Sequence, residues 1–204
     1  MGKRKLERAL ERYRERHPDE PRPAVRWLPF QLNPDLPENG IPREEYVARK
    51  FGSRGKGVNA RVAAAGAQVD IPFAYEKMQV QPNTLNAHRL LHYGERAGKQ
   101  DAVAEELFKA HFLEGANLTD RSTLADVAVR AGMARDEVLA YLAGDADRDV
   151  VERGDVEARS AGIGGVPFFI FNRRIGVSGA QDPDTLLDAM EQATKPVETE
   201  ARDR

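Results

Sequence analysis

The chain has 204 residues, enough for one large hydrophobic core or two small ones, and its 31% of charged residues fit a solvated globular protein rather than a membrane one. No apolar run reaches the length of a bilayer span. A formal net charge of −2 gives no general pull toward nucleic acid, and the absence of cysteine removes disulfides, thiolate metal sites and all cysteine-based catalysis from this chain.

The first seventeen residues hold seven Lys or Arg against three Glu, with Leu6, Leu10 and Tyr13 at helical spacing, and read as an amphipathic helix with a wet basic face. No apolar stretch follows this basic start, so it is not a secretory leader and the expected compartment is the cytoplasm. His17, Pro18, Pro21 and Pro23 end the helix. "AVRWLPFQL", residues 24–32, reads as a strand with Val25, Trp27 and Pro29 on one face and Arg26 and Leu28 on the other. A turn-rich stretch then enters a helix whose first turn holds Pro42, Glu44 and Glu45.

From there to about residue 160 the patterns are helical: "RVAAAGAQVDI", "NTLNAHRLLHYGERAG", "DAVAEELFKAHFLEG", "STLADVAVRAG", "RDEVLAYLAG" and "DRDVVERGDVEARSAG". Ser122 is the expected cap of the fourth, and Gly132 its stop. The period then shortens. "PFFIF" (167–171) and "IGVSG" (175–179) flank "NRR" and predict an antiparallel hairpin. Asp182 is the expected cap of a last helix that starts at Pro183 and carries Leu186, Leu187 and Met190. The tail from 194 to 204 offers little to bury and is expected to be disordered.

Pro167 sits in an apolar run that reads as a strand. It has no backbone N–H to give a ladder, so it either begins the strand or is held in an unusual isomer. "FGSRGKGVN" (51–59) lacks the spacing and the following Ser or Thr of a phosphate loop, and "GIGG" leads into a strand rather than a helix, so neither is a nucleotide fingerprint. His88 and His92 are spaced for one helix face, but no third ligand supports a metal site. Phe168, Phe169, Ile170 and Phe171 read as core and groove wall.

The stretches "GKRKLERAL", "WLPFQLNP", "NTLNAHRLLHYG", "LFKAHFLEG", "TLADVAVRAG" and "GIGGVPFFIFNRRIGVSGAQ" together resemble the DsbA-like thioredoxin-fold oxidoreductases. The likeness is greatest to the cytoplasmic frenolicin-pathway (FrnE-like) group, related to the 2-hydroxychromene-2-carboxylate isomerases. It implies an α/β thioredoxin-like fold with a large inserted helical domain, lacking the usual first strand. The core is expected at 1–40 and 160–193, and the insertion at 41–159. It also implies a cis bond between Val166 and Pro167, with the backbone of Val166 binding an extended substrate, and Asn83, Thr84, His88 and Phe168 lining the groove.

Members of that family carry an apolar strand and a Cys-Pro-Trp-Cys motif ahead of a segment like "GKRKLERAL". Neither is present here, so residues 25–31 and 167–178 are expected to lack the strand between them. Three remedies are open: further residues ahead of Met1, a strand donated by another chain, or direct closure of the two flanking strands. No residue stands as catalytic, and no cofactor or metal is expected. The expected function is that of a thiol-disulfide oxidoreductase family member that is redox-inactive as a cysteine-free chain. One alternative is a non-catalytic protein binding a polypeptide or small ligand in the cis-proline groove. Another is a glutathione-dependent isomerase, although no serine stands at the first helix start. A homodimer is the expected assembly if a strand must be supplied in trans.

Overall fold

Helix α1 spans Gly2–Arg16, because Leu6, Ala9, Leu10 and Tyr13 recur on one side and are buried, while Arg14 and Arg16 sit favourably at its carbonyl end. The structure, a computed structural model, describes residues 1–52 and 55–196. It falls into two compact units: residues 1–24 with the chain from Ile163 onward, and residues 25–162. Residues 25–40, assigned to the core by the sequence reading, therefore group with the helical residues.

In the first unit β3 (Phe168–Phe171) and β4 (Ile175–Ser178) form an antiparallel hairpin, with Phe169 opposite Val177 and Phe171 opposite Ile175. Asn172 and Arg173 take positive φ of 49° and 58°, the left-handed pair that suits a tight hairpin turn. Arg174 N–H closes the turn onto the Phe171 carbonyl at 2.9 Å. Helix α9 spans Pro183–Thr194. Phe169, Phe171 and Val177 pack against a core of Leu6, Leu10 and Tyr13 from α1 and Leu186, Leu187 and Met190 from α9. Asp182 does stand at the α9 N-cap, but it makes no cap bond; its carboxylate accepts from Lys5 Nζ at 3.1 Å instead. Thr194, where the tail was expected to begin, closes α9, and residues from 197 lie outside the described residues.

The second unit contains a two-residue ladder, β1 (Ile41–Pro42) against β2 (Val80–Gln81), which the sequence reading did not anticipate. Its helices are α2 (Arg43–Phe51), α3 (Gly55–Ala67), α4 (Leu85–Arg96), α5 (Gln100–Phe112), α6 (Arg121–Arg130), α7 (Arg135–Ala143) and α8 (Arg148–Ser160). The core is formed by Leu90, Val103, Leu124, Val127, Val138 and Leu142, all fully buried. The cap of α6 is Asp120, not Ser122: its carboxylate accepts from the N–H groups of Ser122 and Thr123 at 3.2 and 3.1 Å. A carboxylate at this position also suits the helix dipole.

The strand expected over 24–32 is corrected. These residues belong to no ladder, and β3 pairs only with β4 among the described residues. Side chains hold the segment instead. The Gln100 amide accepts from Trp27 N–H at 2.9 Å and donates to the Trp27 carbonyl at 3.0 Å, offering the donor and acceptor that a neighbouring peptide would supply. Asp155 accepts from Gln31 N–H at 2.7 Å, Arg159 donates to the Gln31 carbonyl, and Pro29 has no N–H to satisfy. Among the described residues no helix is long and apolar enough to cross a membrane.

Candidate functional site

At the head of β3 the Val166–Pro167 peptide bond is cis. Val166 is 50% exposed, and its main chain makes no hydrogen bond among the described residues. The Pro167 carbonyl accepts from Gly179 N–H at 2.9 Å, which extends the hairpin pairing by one residue beyond the ladder. By antiparallel alternation Phe169 and Phe171 direct their backbone groups toward β4, and Phe168 and Ile170 direct theirs away. The first turn of α1 lies against this point. A Cβ on Gly2 would stand 2.8 Å from Pro167 Cγ, so the absence of a side chain at residue 2 is what lets helix and ring meet. Phe168 lies across β4 in the same way, with its ring edge 2.9 Å from where a Cβ of Gly176 would be.

The chemistry that residues 163–171 offer is main-chain hydrogen bonding and apolar contact. Residues 163–171 contain no ionisable or nucleophilic side chain, and the whole chain contains no thiol. A thiolate attack on a disulfide, or resolution of a mixed disulfide, has no atom in this chain to perform it.

The remaining expected groove residues, Asn83, Thr84 and His88, lie in the helical unit. Asn83 organises the start of α4: its amide donates to the Leu36 carbonyl at 2.8 Å, and its oxygen accepts from Leu85 N–H at 2.9 Å. The Thr84 carbonyl lies 2.7 Å from His88 Nδ1. Burial lowers the His88 pKa, so the ring is neutral, Nδ1–H donates to Thr84, and Nε2 is left as an acceptor. That Nε2 meets Phe30 N–H at 3.4 Å. His92, one turn on, lies 3.7 Å from Glu95 and 3.8 Å from Asp147. No group of three or more His, Asp or Glu able to hold a metal occurs among the described residues.

Sequence reasoning missed Arg89, which is 1% exposed. Its guanidinium donates to the carbonyls of Ala146 (2.9 Å), Tyr141 (3.1 Å) and Gly144 (2.6 Å) and to Asn86 (2.8 Å). It thereby satisfies the carbonyl end of α7. The only signal in the sequence is a basic residue between Ala87 and Leu90 on the apolar side of a helix.

A profile of the DSBA-like thioredoxin domain matches residues 1–191. The crystal structure of a probable DsbA oxidoreductase from Streptomyces coelicolor resembles this chain with a TM-score of 0.82 and 29% identity, over 94% of this chain and 82% of that one. No curated protein gives a match. With a helix-packed hairpin, a helical insertion and these two likenesses in agreement, the chain has a thioredoxin-like fold and belongs to the DsbA-like thioredoxin-domain family, as a cysteine-free member.

Proposed function

We propose that this chain binds extended polypeptide without catalysing a redox step, and that it does so through the main chain of Val166. The supporting observation is Val166 itself, half exposed and with its main chain unbonded at the head of a strand, in a stretch, residues 163–171, that has no nucleophilic or ionisable side chain. An extended peptide laid alongside would form main-chain hydrogen bonds of the strand-addition kind, which tolerate many sequences. Within the family we assign the chain to the frenolicin-pathway group, on its "GIGGVPFFIFNRRIGVSGAQ" and "NTLNAHRLLHYG" stretches.

Calorimetric titration with carboxymethylated, unfolded α-lactalbumin tests the reading. Val166→Ala keeps the main chain and is expected to bind within about threefold of the parent. Val166→Pro removes the N–H and is expected to weaken binding by about tenfold or more, the worth of one well-placed hydrogen bond. Insulin reduction by dithiothreitol is expected to run at the rate of buffer alone. Absence of polypeptide binding by the parent, or equal binding by the two variants, would overturn the proposal.

A further inference from the structure

Strand β3 has an unpaired outer edge. Its alternation sends the main-chain groups of Phe169 and Phe171 to β4 and those of Phe168 and Ile170 the other way, where neither the N–H nor the carbonyl of either residue has a partner among the described residues. Val166, also unbonded, stands two residues before Phe168, so the edge runs over five residues, from Val166 to Ile170. Its free groups recur every second residue, roughly 6.8 Å apart, a repeat that another extended chain matches with donors and acceptors in register.

Sheet edges that stay solvated are ordinarily guarded by charge, by a bulge or by proline. This one is not. Residues 163–171 carry no charged side chain, and Pro167 turns its carbonyl to Gly179 and leaves the groups on either side of it free. The side chains show what an added strand would meet. Phe169 and Phe171 pack on the core of α1 and α9, which leaves Phe168 and Ile170 on the opposite face of the hairpin. The residue across from Ile170 is Gly176, which has no side chain to cover it, and Ile170 is 48% exposed.

We propose, resting on the reading of Val166 as a polypeptide site, that the ligand is an uncharged extended segment that pairs with the whole edge from Val166 to Ile170 and carries β-branched or aromatic residues at alternate positions. Main-chain bonds at Phe168 and Ile170 hold it in register, and its apolar side chains lie beside those two residues as the cross-strand pairs that stabilise a sheet face. A charged residue at those positions would lie against an apolar face with no counter-charge on the edge.

The probes are two capped seven-residue peptides, one alternating threonine with valine and the other with glutamate in place of each valine. Calorimetric titration is expected to show the valine peptide binding about tenfold tighter or more than the glutamate peptide. Hydrogen exchange at the Phe168 and Ile170 amides is expected to slow by about tenfold or more on saturation with the valine peptide, because both N–H groups then acquire partners. Ile170→Pro removes one edge donor where a strand tolerates proline, and is expected to weaken binding of the valine peptide by about tenfold. Equal binding of the two peptides, or exchange at both amides unchanged by bound valine peptide, overturns the proposal. So does protection of the two amides that rises with protein concentration in the absence of peptide, which assigns the edge to a second copy of the chain. If unfolded α-lactalbumin binds the parent and not Val166→Pro, yet neither it nor the valine peptide protects Phe168 and Ile170, the extended footprint is overturned and the reading of Val166 stands. If no polypeptide binds, both fall. Should Ile170→Pro fail to fold by circular dichroism, amide exchange in the parent decides.

Discussion

Arg89 shows how a single buried cation can be stable without a carboxylate beside it. Three backbone carbonyls and one side-chain amide oxygen surround its guanidinium, and the ring of Tyr141 lies 5.2 Å from its centre. A planar fork with five donors can serve several carbonyls at once, which an ammonium on a flexible stem cannot. Truncation to Ala would leave those carbonyls buried and unpaired at the end of α7. Arg89→Ala is expected to lower stability by about 3 kcal/mol, and Arg89→Lys to recover only part of it, measured by urea unfolding followed through Trp27.

Among the elements, the segment 24–32 departs most from its sequence pattern. It is apolar and β-prone, yet the unit that contains it supplies no strand beside it, so Gln100, Asp155, Arg159 and His88 take its backbone groups one by one. Asp155 is the centre of this arrangement. It is 4% exposed, accepts from Gln31 N–H, and orients Arg159 at 2.9 Å. Asp155→Ala is expected to speed hydrogen exchange at Gln31 N–H and to cost about 2 kcal/mol, because a buried N–H loses its partner. Asp155→Asn keeps an oxygen acceptor and is expected to lie between the two.

For the molecule as a whole, acid is the sensitive condition. His111 in α5 is enclosed, and this burial pushes its pKa from 6.5 down to about 4; Arg43 acts in the same sense, and the backbone at Ala116 opposes. His88 is shifted in the same direction, chiefly by burial. The unfolded chain takes up a proton on His111 below about pH 6.5, whereas the folded chain does so only near pH 4. This contribution to stability is therefore complete above pH 6.5 and is lost as the pH falls through that window. Urea unfolding is expected to show the parent about 2 kcal/mol less stable at pH 5 than at pH 7 from this group alone. His111→Phe is expected to flatten that dependence.

The order of helices, the hairpin and the start of α9 at Pro183 were legible in the sequence, because helical and alternating periods, prolines and turn residues act over a few neighbours. So was the unusual position of Pro167, since a proline inside an apolar run is a local anomaly. Four features were set by tertiary structure: the unpaired state of residues 24–32, the pairing of Ile41–Pro42 with Val80–Gln81, the burial of Arg89, and the exposure of Val166. A strand needs a partner that its own residues cannot supply, and a buried polar group needs others brought in from far along the chain. A cavity beside His88 belongs with these: Trp27, His88, Gln100 and Val150 share one lining only because the fold brings four separate segments together.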